Sequence, residues 1–123
     1  MPDRRRVYRV AERIRELIAT ELLQSADPRL LLVTVTSVVV SADLREAKVY
    51  WNVSGGEDRM RQAEQAFKGG ADRHLRAAIG GQLGLRFVPS LTFFYDDTLD
   101  TSERVEKLLA KVREEGDEEL LGE

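Results

Sequence analysis

An α+β fold is predicted for this chain, and three observations predict it. A long amphipathic segment near the N-terminus has helical periodicity. Two segments rich in β-branched residues follow, separated by little more than a turn. A third strand-like segment then lies beyond a helical stretch that two adjacent glycines interrupt. The element order is therefore α-β-β-α-(kink)-α-β plus a C-terminal helix, with a three-stranded sheet and no internal repeat.

Over residues 4–23 the apolar positions are Val7, Val10, Ala11, Ile14, Leu17, Ile18 and Leu22, the spacing of one buried helical face. Arg5, Arg9 and Arg13 fall opposite that stripe at i, i+4 and i+8, with Arg6 beside them. Pro28 biases Asp27 away from helical angles, so the helix stops near Ser25. Residues 31–40 then read as a strand, and residues 47–53 as a second. In the second, Ala47, Val49, Trp51 and Val53 share one face. Their closeness predicts an antiparallel hairpin.

Ser54-Gly55-Gly56 breaks the strand, and residues 57–68 resume a helical pattern through Met60, Ala63, Ala66 and Phe67. Gly69-Gly70 interrupts it before a further pattern over residues 71–83. Each glycine costs about 1 kcal/mol in a helix interior, so a kink is expected there. Residues 86–95 read as the third strand, opened by Arg86, with Phe87, Leu91, Phe93 and Tyr95 on one side. Pro89 cannot donate to a ladder, which implies an edge position or a bulge. The last helix begins near Ser102 and fades into an acidic segment. The expected division is a domain over residues 1–113 and a flexible acidic tail over 114–123.

A chain of 123 residues suits one core. Without cysteine it has neither disulfides nor thiolate metal sites. No apolar run approaches a membrane span and no signal-peptide core is visible, so a soluble cytoplasmic protein is the expectation. The net charge of −3 does not itself point to nucleic acid. Its distribution allows local phosphate binding without predicting it: residues 1–15 carry +4, residues 16–101 carry −3 and residues 102–123 carry −4.

Catalytic constellations are sparse. His74 is the single histidine, so a histidine-based triad has at most one member. Asp96, Asp97 and Asp100 could gather around Mg²⁺, but aspartates equally end strands and cap helices. No catalytic residue, metal site or cofactor is expected. Binding is better supported. Guanidinium groups grip two phosphate oxygens at once, and the face of Arg5, Arg6, Arg9 and Arg13 offers several. The competing reading is a solvated face ion-paired to Glu12 and Glu16. A second group, Lys68, Arg73 and Arg76, surrounds the glycine break, with Arg86 further on. Gly81-Gln82-Leu83-Gly84 matches a backbone-clamping GxxG, but it abuts the third strand and reads as a helix terminator. Tyr50, Trp51, Phe93, Phe94 and Tyr95 are candidates for base stacking, weighed against sheet packing.

Three stretches together resemble the ribosome-binding factor A family of bacterial ribosome assembly factors: Asp27-Pro28-Arg29-Leu30 with Val33-Thr34-Val35-Thr36; Val40-Ser41-Ala42-Asp43-Leu44 leading to Ala47-Lys48-Val49-Tyr50; and Leu85-Arg86-Phe87-Val88-Pro89-Ser90-Leu91-Thr92-Phe93-Phe94-Tyr95-Asp96. The resemblance spans roughly residues 4–110. It implies a type II KH-like fold and non-enzymatic binding to the small (30S) ribosomal subunit and its 16S rRNA during late maturation. It also implies links to rRNA processing and cold adaptation. A monomer with no membrane partner is expected. The generic alternative is a KH-like binder of single-stranded RNA. The family's Ala-x-Gly interhelical kink aligns here with Ala71-Asp72-Arg73, which has the alanine and lacks the glycine. Gly69 and Gly70, with Ala71, are the expected site of the bend.

Overall fold

The computed structural model describes residues 3–121, with side chains for 3–98 and 105–115. Helix α1 (Arg4–Gln24) starts where the Asp3 carboxylate accepts from the amides of Arg5 (3.0 Å) and Arg6 (3.4 Å). Those amides have no partner within the helix, so the cap stabilises it by about 1 kcal/mol. Ala11, Ile14, Leu17, Ile18 and Leu22 are its buried stripe. Beyond Ser25, Asp27 caps a 3-10 turn at Pro28–Leu30 that buries Leu30. The sequence pattern gives no sign of that turn, because it is too short to show a period.

Strands β1 (Val33–Val40) and β2 (Glu46–Val53) form the predicted antiparallel hairpin, from Val40 opposite Ala47 to Val33 opposite Val53. The register shifts between Val35 and Ser37, leaving Thr36 as a bulge. Along β2, Ala47, Val49, Trp51 and Val53 are buried in strict alternation. After β2 the chain crosses over through α2 (Glu57–Ala66), a π-type turn (Phe67–Ala71) and α3 (Asp72–Gly80). It returns as β3 (Ser90–Tyr95), parallel to β2, giving the sheet order β1-β2-β3. The pairs Ala47–Leu91, Val49–Phe93 and Trp51–Tyr95 turn the same face toward the helices. Trp51 is packed against Phe67 (ring centroids 5.0 Å apart) and Tyr95 (5.2 Å), and Phe67 stacks on Phe93 at 4.5 Å. Each fully buried large side chain contributes roughly 1.5–3 kcal/mol, so this cluster fixes which face is inside. The Arg59 guanidinium, donating to the Leu31 carbonyl at 2.8 Å, ties α2 to the approach of β1.

Most elements shift by a residue or two from their predicted bounds, and three departures matter for the surface or the tail. The third strand begins at Ser90, and Arg86 therefore lies in the loop before it rather than opening it. Pro89 has no N–H to donate and is buried, while Arg76 occupies the carbonyls of Val88 (2.7 Å) and Pro89 (3.0 Å). With those groups committed, the ladder cannot extend backward. Phe87 consequently leaves the packed face and is 63% exposed. Helix α3 ends at Gly80, where Gln82 and Leu83 close the last turn through their amides and Gly84 adopts φ +66°. The GxxG thus terminates the helix. Helix α4 (Thr98–Leu121) starts earlier than predicted and continues through the acidic segment.

Candidate RNA-binding surface

The interhelical bend is set by Gly70, whose φ of 120° and ψ of −8° break the helical path. An L side chain rarely adopts that φ, so the break falls at this residue. Ala71 and Asp72 already have helical angles, and Arg73 follows within α3. The glycine missing from Ala71-Asp72-Arg73 is thus replaced by one placed earlier. Because the chain turns there, α3 runs beside the loop that precedes β3, with Gly80 against Val88. A Cβ at Gly80 would stand 3.0 Å from the Val88 Cγ2 atom.

Two hollows meet at this loop. One, of about 220 Å³, is lined by Arg6, Asp43, Leu44, Arg45, Leu85, Arg86 and Phe87. The other, of about 550 Å³, is lined by Arg73, Arg76, Arg86 and Phe87, with Ala77, Gly80, Gly81 and Val88 between them. They share Arg86 and Phe87. The structure thereby joins the N-terminus of α1, the β1–β2 turn, α3 and the pre-β3 loop into one arginine-lined band. Arg4, Arg5, Tyr8 and Arg9 line a further shallow hollow on α1.

Individual arginines differ in what they are free to do. Arg6, Arg45, Arg73 and Arg86 are exposed and have no carboxylate partner among the described residues. Arg9 donates to the Arg5 carbonyl at 3.4 Å. Arg13 is paired with Glu16 at 3.5 Å, and Glu12 takes Arg15 at 3.0 Å. Lys68 is paired with Glu64 at 2.8 Å. Arg76, holding two loop carbonyls, positions the surface. Asp43 is the one acid in the band. The Ser41 hydroxyl (2.7 Å) and then the Arg45 amide (3.1 Å) hold its carboxyl below the usual carboxylate range. It stays ionised beside Arg45.

The aromatics named from sequence are mostly engaged internally. Trp51 is 1% exposed, and Phe93 and Tyr95 pack with it. Tyr50 and Phe94 stack on each other at 5.7 Å on the opposite face of the sheet. Sequence reasoning missed two members of the band, Arg45 and Phe87. Arg45 is isolated in a turn with no local pattern to mark it, and Phe87 fits the strand alternation too well to look exposed. His74 lies exposed on α3. Among the described residues no group of acids or histidines gathers to hold a metal ion; the side chain of Asp100 lies outside them. Among them, too, no helix is long and apolar enough to cross a membrane.

A family model described as ribosome-binding factor A matches residues 6–109. Ribosome-binding factor A of Corynebacterium kroppenstedtii is 41% identical over 124 residues, covering 96% of this chain and 79% of the relative. That of Streptomyces avermitilis is 43% identical over 115 residues, covering 92% and 73%. Among solved structures, the crystal structure of ribosome-binding factor A from Thermus thermophilus superposes with a TM-score of 0.61 at 28% identity, covering 72% of this chain and 94% of that one. A homology model of the Thermus thermophilus ribosome binding factor A, fitted into the cryo-EM map of its complex with 30S, matches with a TM-score of 0.58 at 29% identity, covering 70% and 90%.

Proposed function

This chain belongs to the ribosome-binding factor A family, and we accordingly propose that it binds the small ribosomal subunit during late maturation, by gripping 16S rRNA phosphates along its arginine band. The observation that carries the reading is the junction of Arg6, Arg45, Arg73 and Arg86 across two adjoining hollows, none of them neutralised by a carboxylate partner among the described residues. A net negative chain can still bind RNA, because counterion release depends on local contacts. Arg5 and Arg9 extend the grip along α1, while Arg13 and Lys68 must first exchange Glu16 and Glu64 for a phosphate. Arg76 acts indirectly, by holding the loop that carries Arg86.

The action is non-catalytic. The protein holds one conformation of the rRNA and shifts its equilibrium by the difference in affinity for the two states. It works in the cytoplasm, where subunits mature, and its binding unit lies within residues 1–113. Co-sedimentation with immature small subunits, weakening as salt rises, is the direct test. Equal binding to any unstructured RNA would favour a generic single-strand binder instead.

A further inference from the structure

We propose that Phe87 is a stacking platform for one unpaired nucleobase, with Arg45 and Arg86 holding the phosphates that flank it. The inference rests on the RNA-binding reading above and adds a base contact to it. A singly exposed apolar side chain is ordinary; the surroundings of this one are not. The ring is 63% exposed and lines both adjoining hollows. The guanidinium carbons of Arg86 and Arg45 lie 5.5 and 5.9 Å from its centroid. Both lie over the ring within cation–π range, so an incoming base displaces one guanidinium from the ring and leaves it to meet the flanking phosphate.

The ring is also held in place. Pro89 is buried, the carbonyls of Val88 and Pro89 are fixed by Arg76, and Val88 rests against Gly80. A loop fixed before binding loses little conformational entropy on binding, which favours a specific contact. Among charged ligands, a single-stranded nucleic acid offers a flat π face and a phosphate in every unit, and the RNA-binding reading selects RNA. An acidic peptide would use the arginines and leave the ring idle. Asp43, in the hollow with Arg6, Arg45 and Arg86, repels phosphate at that edge.

The test uses the full chain, a short single-stranded oligoribonucleotide, and an abasic oligomer of the same length. Wild type is expected to prefer the base-bearing oligomer by roughly five- to tenfold or more. Phe87→Ala should abolish that preference while melting like wild type. Phe87→Trp should keep it, and the emission of the introduced indole should be quenched on binding. Trp51, at 1% exposure, provides a constant background. Undiminished preference in Phe87→Ala, or an indole unaffected at saturation, would overturn the proposal even if the wild type still co-sediments with small subunits. Quenching by an acidic peptide equal to that by RNA would assign the surface to protein and overturn it too. A folded wild type that binds neither oligomer nor subunits would overturn both this inference and the RNA-binding function beneath it.

Discussion

At the level of single residues, each arginine's partner decides its role. Arg86→Ala and Arg45→Ala each remove a cation that is free to meet a phosphate. Each is expected to weaken small-subunit binding roughly fivefold, with melting unchanged, as measured by co-sedimentation and circular dichroism. Arg13→Ala should cost less, because the exposed Arg13–Glu16 pair must open before Arg13 can bind RNA. Arg76→Ala should behave differently again. It leaves the carbonyls of Val88 and Pro89 without their donor and should destabilise the fold by about 1–3 kcal/mol. Asp96 supplies the pH dependence. The Thr36 hydroxyl, 2.5 Å away, and then Thr98 hold its carboxyl below the usual value. A lowered folded-state pKa adds stability that is present above the unfolded value and is lost as pH falls through the folded one. The stability gap between wild type and Thr36→Val should therefore be widest near neutrality. It should narrow as pH falls below about 4, which melts across that range would show.

Elements are joined here by backbone conformations that composition only hints at. Gly70 and Gly69 are adjacent and both open to solvent, with nothing within 4 Å of an added Cβ, yet only Gly70 has a positive φ. Gly70→Ala should lower stability by about 1–2 kcal/mol through strain alone. Gly69→Ala should be neutral or stabilising by up to about 1 kcal/mol. Equal melting temperatures for the two variants would place the bend elsewhere. Gly80→Ala presses on Val88 instead. Its effect should reach RNA binding as well as stability, because Val88 carries the loop next to Phe87.

For the molecule as a whole, one face of the sheet is covered by α1, α2 and α3, and the basic surface lies where α1, α3 and two loops meet. Among the described side chains of helix α4, Val105, Leu108, Leu109 and Val112 are all exposed, so this stretch adds little to the core. Ending the chain after Arg113 should leave cooperative melting unchanged, and loss of cooperativity would show that the acidic segment packs. Because that segment also carries negative charge, its removal should tighten subunit binding slightly at low salt and not at high salt. Neutralising about five phosphates would give a log–log salt slope of about −3.5 for single-stranded RNA.

Elements with a local cause were legible in the amino-acid order alone. The amphipathic period of α1, the alternation along β2, the short hairpin connection and the glycine-broken helix each follow from contacts between near neighbours in the chain. The basic front of the molecule was readable for the same reason, since Arg5, Arg6, Arg9 and Arg13 share one helix. Other features needed the folded chain, because they join residues far apart in sequence. Arg76 reaching Val88 and Pro89 ends the third strand early and turns Phe87 outward, although its alternation argues for the inside. Arg45 joins Arg6 and Arg86 only because the β1–β2 turn, the start of α1 and the pre-β3 loop converge at one end of the sheet. Local periodicity encodes which face of an element is buried; which loops then meet is fixed by packing, and packing is where the arginine band is made.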